Sequence, residues 1–239
     1  MSGPYLSVVI PAYNEGGRIG STLEQVRRYA SSQPFPVELI VVDDGSTDHT
    51  VEVVAQFPEV RVVRNDRNRG KGFTVRHGVL EAQGQFILFS DADLSAPIEE
   101  AGKLLAAIES ERADAAIGSR ALQRELIGVR QPFYRDFAGR AFNLLVRLLT
   151  GLKLRDTQCG FKLFRRDTTR RAFELQRVAG FGFDPELLFL IERQGGKLVE
   201  VPVRWNDNPA TKVRFLRDAP RMFIDLLALR WRAGRGKYS

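Results

Sequence analysis

The chain has 239 residues, 44% of them hydrophobic and 27% charged, a globular composition that excludes a disordered or low-complexity protein. One cysteine, Cys159, excludes an intrachain disulfide and a zinc site built on several thiolates, and it fits a reducing compartment. The net charge of +7 is uneven: residues 1–120 carry 12 Lys+Arg against 17 Asp+Glu, and residues 121–239 carry 24 against 12. A basic half of this kind points to nucleic acid, anionic lipid or a phosphorylated ligand. His49 and His77 lie too far apart for a local His-based metal motif. Met1-Ser2-Gly3-Pro4 lacks the basic head and apolar run of a signal peptide. The longest charge-free run, Met1 to Asn14, is 14 residues, short of the ~18 a spanning helix needs. The expectation is a protein neither secreted nor membrane-spanning.

In chain order, Leu6 to Ile10 is a short apolar run closed by Pro11, and Ile19 to Ala30 has helical spacing. Val37 to Val42 is a second strand ending in Asp43-Asp44-Gly45-Ser46, with Asp48 as N-cap of a helix over Thr50 to Phe57. Val60 to Val63 is a third strand, Phe73 to Ala82 a helix, and Gln85 to Ser90 a fourth strand ending in Asp91-Ala92-Asp93. A helix follows from Pro97 to Ala113, then a fifth strand from Ala115 to Gly118. This order of continuous apolar strands and helices predicts an α/β fold with a parallel sheet covered on both faces. The rhythm then changes: Phe137 to Leu149 and Pro220 to Trp231 read as amphipathic helices, and Lys197 to Trp205 as a strand. The expected organisation is one catalytic domain over 1–215, with a donor half 1–120 and an acceptor half 121–215, and a basic amphipathic segment over 216–239.

In an open α/β sheet, ligands bind at the carboxyl ends of the strands. Three polar clusters fall there: Pro11-Ala12-Tyr13-Asn14-Glu15, Asp43-Asp44-Gly45-Ser46 and Asp91-Ala92-Asp93. Each alone is compatible with an ordinary turn. Together they gather carboxylates that repel and want a cation or donor groups from a ligand. Asp91 and Asp93 can share a divalent cation, Mg²⁺ or Mn²⁺, that in turn binds diphosphate oxygens. Asn68-Arg69-Gly70-Lys71-Gly72 supplies a basic, glycine-rich loop before a helix, suited to anionic oxygens. It lacks the pattern of a P-loop, and the first strand–helix turn lacks that of a dinucleotide-binding fold.

These four segments, in this order and spacing, resemble the family 2 glycosyltransferases with the GT-A, Rossmann-like fold. Gly118-Ser119-Arg120, Asp156 to Phe164, Phe181 to Leu188 and Pro202 through Lys212 resemble the dolichyl-phosphate β-glucosyltransferases among them. The resemblance implies that Pro11, Ala12, Tyr13, Glu15, Val42 and Asp44 hold the nucleoside, with Lys71, Asp91 and Ala92 lining the donor site. It implies that Asp93 is the main metal ligand, with Asp91 beside it. Ser95 stands where a related subfamily has a glutamine. Arg120, Arg135 and Lys212 match basic positions that handle the acceptor phosphate and the donor diphosphate. Asp156 is the candidate base, if one is used; otherwise it pairs with Arg155 or caps a turn. Cys159 is read as a packed residue, and Asp184 as an alternative N-cap for a helix beginning at Pro185.

The implied reaction is inverting transfer of a hexose, glucose from UDP-glucose, to a polyprenyl or dolichyl phosphate. The alternatives are a GDP-mannose-dependent enzyme on the same acceptor, or a family 2 transferase acting on a polysaccharide hydroxyl. A phosphate monoester is largely dianionic at neutral pH, so it needs cations to hold it more than a base to activate it. The implied location is cytoplasmic, peripherally on a membrane face, with adsorption through Phe223, Leu226, Leu227 and Trp231 and the basic tail. Burial in the core or a homodimer contact is the competing use of the amphipathic helices. A nucleic-acid-binding role explains the basic half but not the carboxylates at one sheet edge.

Overall fold

The computed structural model describes residues 3–208 and 215–238. The first half forms as its pattern predicts: β1 (Leu6–Ala12), α1 (Ile19–Ser31), β2 (Val37–Asp43), α2 (Thr50–Val54), β3 (Val60–Arg64), α3 (Lys71–Glu81), β4 (Phe86–Ser90), α4 (Ala101–Glu111) and β5 (Ala115–Ser119). The second half adds α5 (Phe133–Thr150), β6 (Phe161–Arg165), α6 (Arg166–Leu175), α7 (Phe183–Arg193), β7 (Leu198–Pro202) and α8 (Phe215–Gly234). All seven strands belong to one sheet, in the order β3-β2-β1-β4-β6-β5-β7.

Alternation along β1 distributes the two cores. Leu6, Val8 and Ile10 face one side with Leu23 and Val26 of α1 and Leu104 and Ile108 of α4. Val9 faces the other, with Val75 and Val79 of α3, Phe173 of α6 and Leu187 of α7. Strands buried on both faces carry apolar residues on both sides, which is why 39–42 of β2 and 86–89 of β4 read as unbroken runs.

The sheet is mostly parallel, as expected, with one exception. β6 runs antiparallel to both β4 and β5, and the sequence pattern alone gave no strand there. Lys162 interrupts its apolar run, yet that lysine is fully buried. The reversal brings residues 159–160 to the carboxyl end of β4, since Ser90 pairs with Phe161. β7 then pairs parallel with β5, so strands from both halves of the chain share one sheet.

Several boundaries differ from expectation. A short 3₁₀ turn, Ile98–Glu100, precedes α4. α3 starts at Lys71, so the basic loop ends inside the first helical turn. Asp184 lies within α7 and pairs with Lys162 rather than capping at Pro185. β7 ends at Pro202, and Trp205 makes only an isolated bridge to Ile127. α8 begins before Pro220 and packs against α5 and α7. Leu226, expected at a membrane face, is buried in the core with Leu229 and Ala233.

Candidate active site

The carboxyl ends of β1, β2 and β4 converge on a pocket of about 680 Å³. Pro11, Ala12, Tyr13 and Glu15 line it from β1, Asp44 from β2, Lys71 from α3, and Asp91, Ala92 and Asp93 from β4. Nine predicted positions thus meet in one place. Val42 does not line it; its side chain is buried in the core. A valine one residue before the strand end faces the helix layer, so the backbone is what it has to offer a ligand.

The loops of this edge are held by buried acceptors. Asp44 takes hydrogen bonds from Asn65 Nδ2 (2.7 Å), the Arg69 amide (2.8 Å) and the Gly70 amide (2.9 Å). Its carboxylate therefore fixes the basic loop that leads to Lys71. Asn14, at φ 50°, accepts from the Thr47 amide through Oδ1 at 2.8 Å and ties the β1 loop to the β2 loop. Thr22 Oγ1 donates to the Ala92 carbonyl at 2.6 Å, anchoring the Asp-x-Asp turn on α1.

Lys71 Nζ lies 2.6 Å from Asp91 Oδ1. Burial works against the Lys71 charge, but Asp91 and then Asp184 outweigh it and hold the ammonium above its ordinary value. Burial first, and the Asp91 charge second, push the Asp93 carboxyl up. Asp93 accepts from the Ser95 amide at 3.0 Å, so Ser95 contributes its backbone here. Two hard carboxylates crowded at one turn, whose mutual repulsion a cation would relieve, fit a divalent cation of the Mg²⁺ or Mn²⁺ type. Among the described residues no group of three His, Cys, Asp or Glu gathers to hold a metal. A cation held by Asp91 and Asp93 would have to take its remaining oxygens from ligand and water, as diphosphate-bound Mg²⁺ does.

Gly160 makes that turn possible. The Asp91 amide donates to the Gly160 carbonyl at 3.0 Å, and a Cβ on Gly160 would stand 1.9 Å from Asp91 Oδ2. The antiparallel entry of β6 thus forms a wall against the first carboxylate.

Beside this wall, Arg120 and Asp156 form a bidentate pair, with Nε to Oδ2 at 2.7 Å and Nη2 to Oδ1 at 2.8 Å. The Arg120 amide also donates to Asp156 Oδ2 at 3.0 Å, and the guanidinium lies 5.3 Å over the Trp205 ring. Burial opposes the Asp156 charge, yet the charge and hydrogen bonds of Arg120 hold the carboxyl down at about 2. Such a carboxylate is a poor proton acceptor. Its partner is Arg120, not Arg155, and what it does in this geometry is orient a cation. Burial pushes the Cys159 thiol up to about 12, in line with a packed residue. Arg135 sits in the first turn of α5 and does not line the pocket. Lys212 lies outside the described residues.

Sequence reasoning missed three groups. Arg18 lines the pocket, pairs with Glu15, and has Asp93 and Asp91 near enough to raise it further; one arginine in a helix-entry loop carries no sequence signal. Lys162 donates to the Cys159 carbonyl at 2.6 Å and to Asp184 at 2.5 Å, and both its ammonium and that of Lys71 lie over the Phe89 ring, at 5.8 and 5.4 Å. Glu186, fully buried, accepts from the Arg177 amide (2.9 Å), the Val178 amide (2.7 Å) and the Tyr238 hydroxyl. It fixes the segment leading to Gly180 and Phe181, which close the pocket. Gly72 lets this segment approach, since a Cβ there would stand 2.5 Å from the Val178 carbonyl oxygen.

Comparison with known proteins agrees with this arrangement. Residues 7–173 match the profile of glycosyl transferase family 2. The chain is 40% identical over 225 residues to the dolichyl-phosphate beta-glucosyltransferase of Drosophila melanogaster, covering 87% of this chain and 69% of that protein. It is 36% identical over 244 residues to the protein of that name from Mus musculus, covering 95% and 75%. Among solved structures it is similar to glucosyl-3-phosphoglycerate synthase from Mycobacterium tuberculosis in complex with Mn²⁺, UDP and glucosyl-3-phosphoglycerate. The TM-score is 0.70 at 21% identity, over 95% of this chain and 78% of that one. The same enzyme with Mn²⁺ and UDP-glucose gives 0.70 at 22% identity, over 95% and 79%. The mostly parallel GT-A sheet, the carboxylate-lined pocket at its carboxyl edge and these relatives agree: this chain is a glycosyltransferase and belongs to glycosyl transferase family 2.

Proposed function

We propose that the protein transfers glucose from UDP-glucose to a polyprenyl or dolichyl phosphate, with inversion, at the cytoplasmic face of a membrane. The observation that carries this reading is the pairing of two unlike regions at one sheet edge. A carboxylate and lysine pocket suits a nucleoside diphosphate sugar with a cation, and the oriented Arg120 beside it suits a second anion. The relatives named for dolichyl phosphate supply the acceptor class.

In this reading Pro11, Tyr13, Glu15 and Asp44 border the nucleoside end of the pocket. Asp91 and Asp93 would hold Mg²⁺ or Mn²⁺, which when bound offsets charge on the donor diphosphate. Lys71, kept cationic by Asp91, faces the same oxygens and stabilises the leaving nucleoside diphosphate. Arg120, fixed by Asp156, holds the acceptor phosphate beside carboxylates that would otherwise repel it. Arg135 and Lys212 serve the same anion from the acceptor side. No proton has to leave a phosphate dianion before it attacks the anomeric carbon, so a carboxylate held at about 2 meets what the site asks of Asp156. The acceptor oxygen forms the new bond to the anomeric carbon as the bond to the nucleoside diphosphate breaks.

The donor assignment is tested by calorimetry with UDP-glucose and GDP-mannose, each with Mg²⁺, with Mn²⁺ and with chelator. The expected result is metal-dependent binding of UDP-glucose at least tenfold tighter than GDP-mannose. The reverse preference transfers the reading to a mannosyl enzyme on the same acceptor.

A further inference from the structure

Arg120 and Asp156 can act as an oriented pair only if the segment that carries Asp156 is itself fixed. Residues 151–160 form neither helix nor strand, so their backbone polar groups have no ladder to join and need side-chain partners. Two side chains from distant elements supply them. Asn143, a buried residue of α5, donates through Nδ2 to the Leu154 carbonyl at 3.0 Å and the Arg155 carbonyl at 2.8 Å. Its Oδ1 accepts from the Thr157 amide at 3.2 Å and the Thr157 hydroxyl at 2.9 Å. Two donor hydrogens and two lone pairs are all that an amide side chain has. Every one of them is used on this segment.

Glu200 works on the same segment from β7, where it stands opposite Ile117 of β5. Its carboxylate accepts from the Asp156 amide at 2.7 Å and the Arg155 amide at 2.9 Å. The oxygen that takes the Asp156 amide, Oε1, also accepts from the Ser119 hydroxyl at 2.6 Å. Ser119 is the residue before Arg120. One carboxylate thus ties the strand end that bears Arg120 to the segment that bears Asp156. The same stretch of chain runs on to Trp205, over whose ring the guanidinium lies. Asn143, Glu200 and Ser119 do not line the donor pocket, so what they hold is the pair. The bidentate contact engages Nε and Nη2 of Arg120 and leaves Nη1 to a second anion.

We propose that Asn143 and Glu200 are positioning residues for the acceptor phosphate, clamping residues 154–157 so that Asp156 fixes the direction in which Arg120 presents Nη1. Loss of either side of the clamp lets Asp156 and Arg120 swing together, which weakens acceptor binding and leaves the donor pocket as it is. This deepens the proposed function and rests on it, since there the acceptor's phosphate is the anion that Arg120 holds.

The test uses the full chain, UDP-glucose with Mn²⁺, and a short, water-soluble polyprenyl phosphate. Glu200→Gln keeps the shape but turns one accepting oxygen into a donor that faces another donor. The acceptor KM should rise about tenfold or more, the range for losing a hydrogen bond to a charged group, with calorimetric UDP-glucose binding unchanged. Asn143→Asp, which sets a carboxylate oxygen against two carbonyls, should act in the same direction. Arg120→Lys keeps a cation but loses the fork; in that background Glu200→Gln should add little, because residues acting through one group are not additive. A merely structural role would weaken both substrates together and stay additive. Exchange of the Arg120 Nε proton, followed by NMR, reads the pair without any acceptor and should quicken in Glu200→Gln. Where Glu200→Gln fails to fold, Ser119→Ala removes the hydroxyl contact and should give the same two changes, smaller in size. An unchanged acceptor KM or unchanged exchange in a folded variant overturns the proposal, as does a full effect of Glu200→Gln in the Arg120→Lys background. A wild type that does not use the polyprenyl phosphate, with exchange that still quickens in the variant, retires the acceptor assignment and leaves the clamp on Arg120 standing.

Discussion

The donor pocket and the α5–α8 face are built in opposite ways. In the pocket, charged side chains are withdrawn from water and each is held: Asp44 by two loop amides and Asn65, Lys71 by Asp91, Arg120 by Asp156. On the face, apolar side chains stand in water while the arginines beside them point to a common sign. The first is preorganised for small anions and a cation, since fixed dipoles and charges cost no rearrangement when charge moves. The second is completed by contact with something large and apolar. Substitutions confined to the working side chains of one region should therefore leave the other's measurement intact, and the following variants probe where that independence holds and where it ends.

The largest effect is expected from Asp93→Asn, which removes an anionic ligand from the proposed cation. Transfer should fall about a thousandfold, a few kcal/mol of lost charge stabilisation, with the circular dichroism and vesicle binding of the wild type. Metal-dependent activity at the wild-type rate would take Asp93 out of the site. Next is Gly160→Ala, which forces Asp91 to move because a Cβ cannot stand 1.9 Å from its Oδ2. A displacement near 1 Å at a reacting centre costs about a hundredfold, read as kcat. Unaltered kcat would mean that Asp91 has room to swing aside without consequence.

Lys71→Met should raise the donor KM by about tenfold to a hundredfold, the range for losing a hydrogen bond to a charged group. An acceptor KM that rises instead would move Lys71 to the other substrate. Tyr238→Phe sharpens the comparison from the far side, because α8 leads directly into Tyr238, whose hydroxyl reaches Glu186. It should cost about 1 kcal/mol in urea unfolding and loosen the Gly180–Phe181 wall, seen as a modest rise in donor KM. For the same reason truncation after Asp218 is expected to disturb the pocket as well as lipid contact, since it removes Leu226, Leu229 and Tyr238 from the core.

The smallest expected effect is in acid. Asp156 titrates at about 2 when folded, against an ordinary 3.8. A lowered folded value means that its contribution is complete above pH ~4 and is lost as pH falls toward ~2. Asp156→Asn should flatten the stability profile in that window. A profile that keeps its slope would show that other carboxylates set it.

Much of the pocket was legible because strand ends in an α/β sheet declare themselves. An apolar run stops, and Asp-Asp-Gly-Ser or Asp-Ala-Asp follows. What escaped notice depends on contacts distant in the chain. Lys162 disguised β6, since a charged residue breaks a buried pattern unless one knows that Asp184 and the Cys159 carbonyl await it 22 and 3 residues away. Arg18 pairs locally with Glu15, but its nearness to Asp91 and Asp93, like the reach of Glu186 to Tyr238, is something that no local spacing predicts. Asp156 was visible as a carboxylate, but its value as an orienting group and weakness as a base come from Arg120, 36 residues upstream. On α8 the pattern correctly read an amphipathic helix. Which stripe met the core was fixed only by its packing on α5 and α7, and that placed Leu226 inside and left Ile224 out.

The central claim is that a sugar leaves a nucleoside diphosphate in the carboxylate pocket and arrives on a lipid phosphate. The most direct measurement incubates the protein with UDP-glucose radiolabelled in the sugar, polyprenyl phosphate in anionic vesicles and Mn²⁺, and then partitions the label between organic and aqueous phases. The account predicts label in the organic phase, dependent on metal and acceptor and lost in Asp93→Asn. Label that remains aqueous, as free glucose or on a polysaccharide, while UDP is released would contradict it.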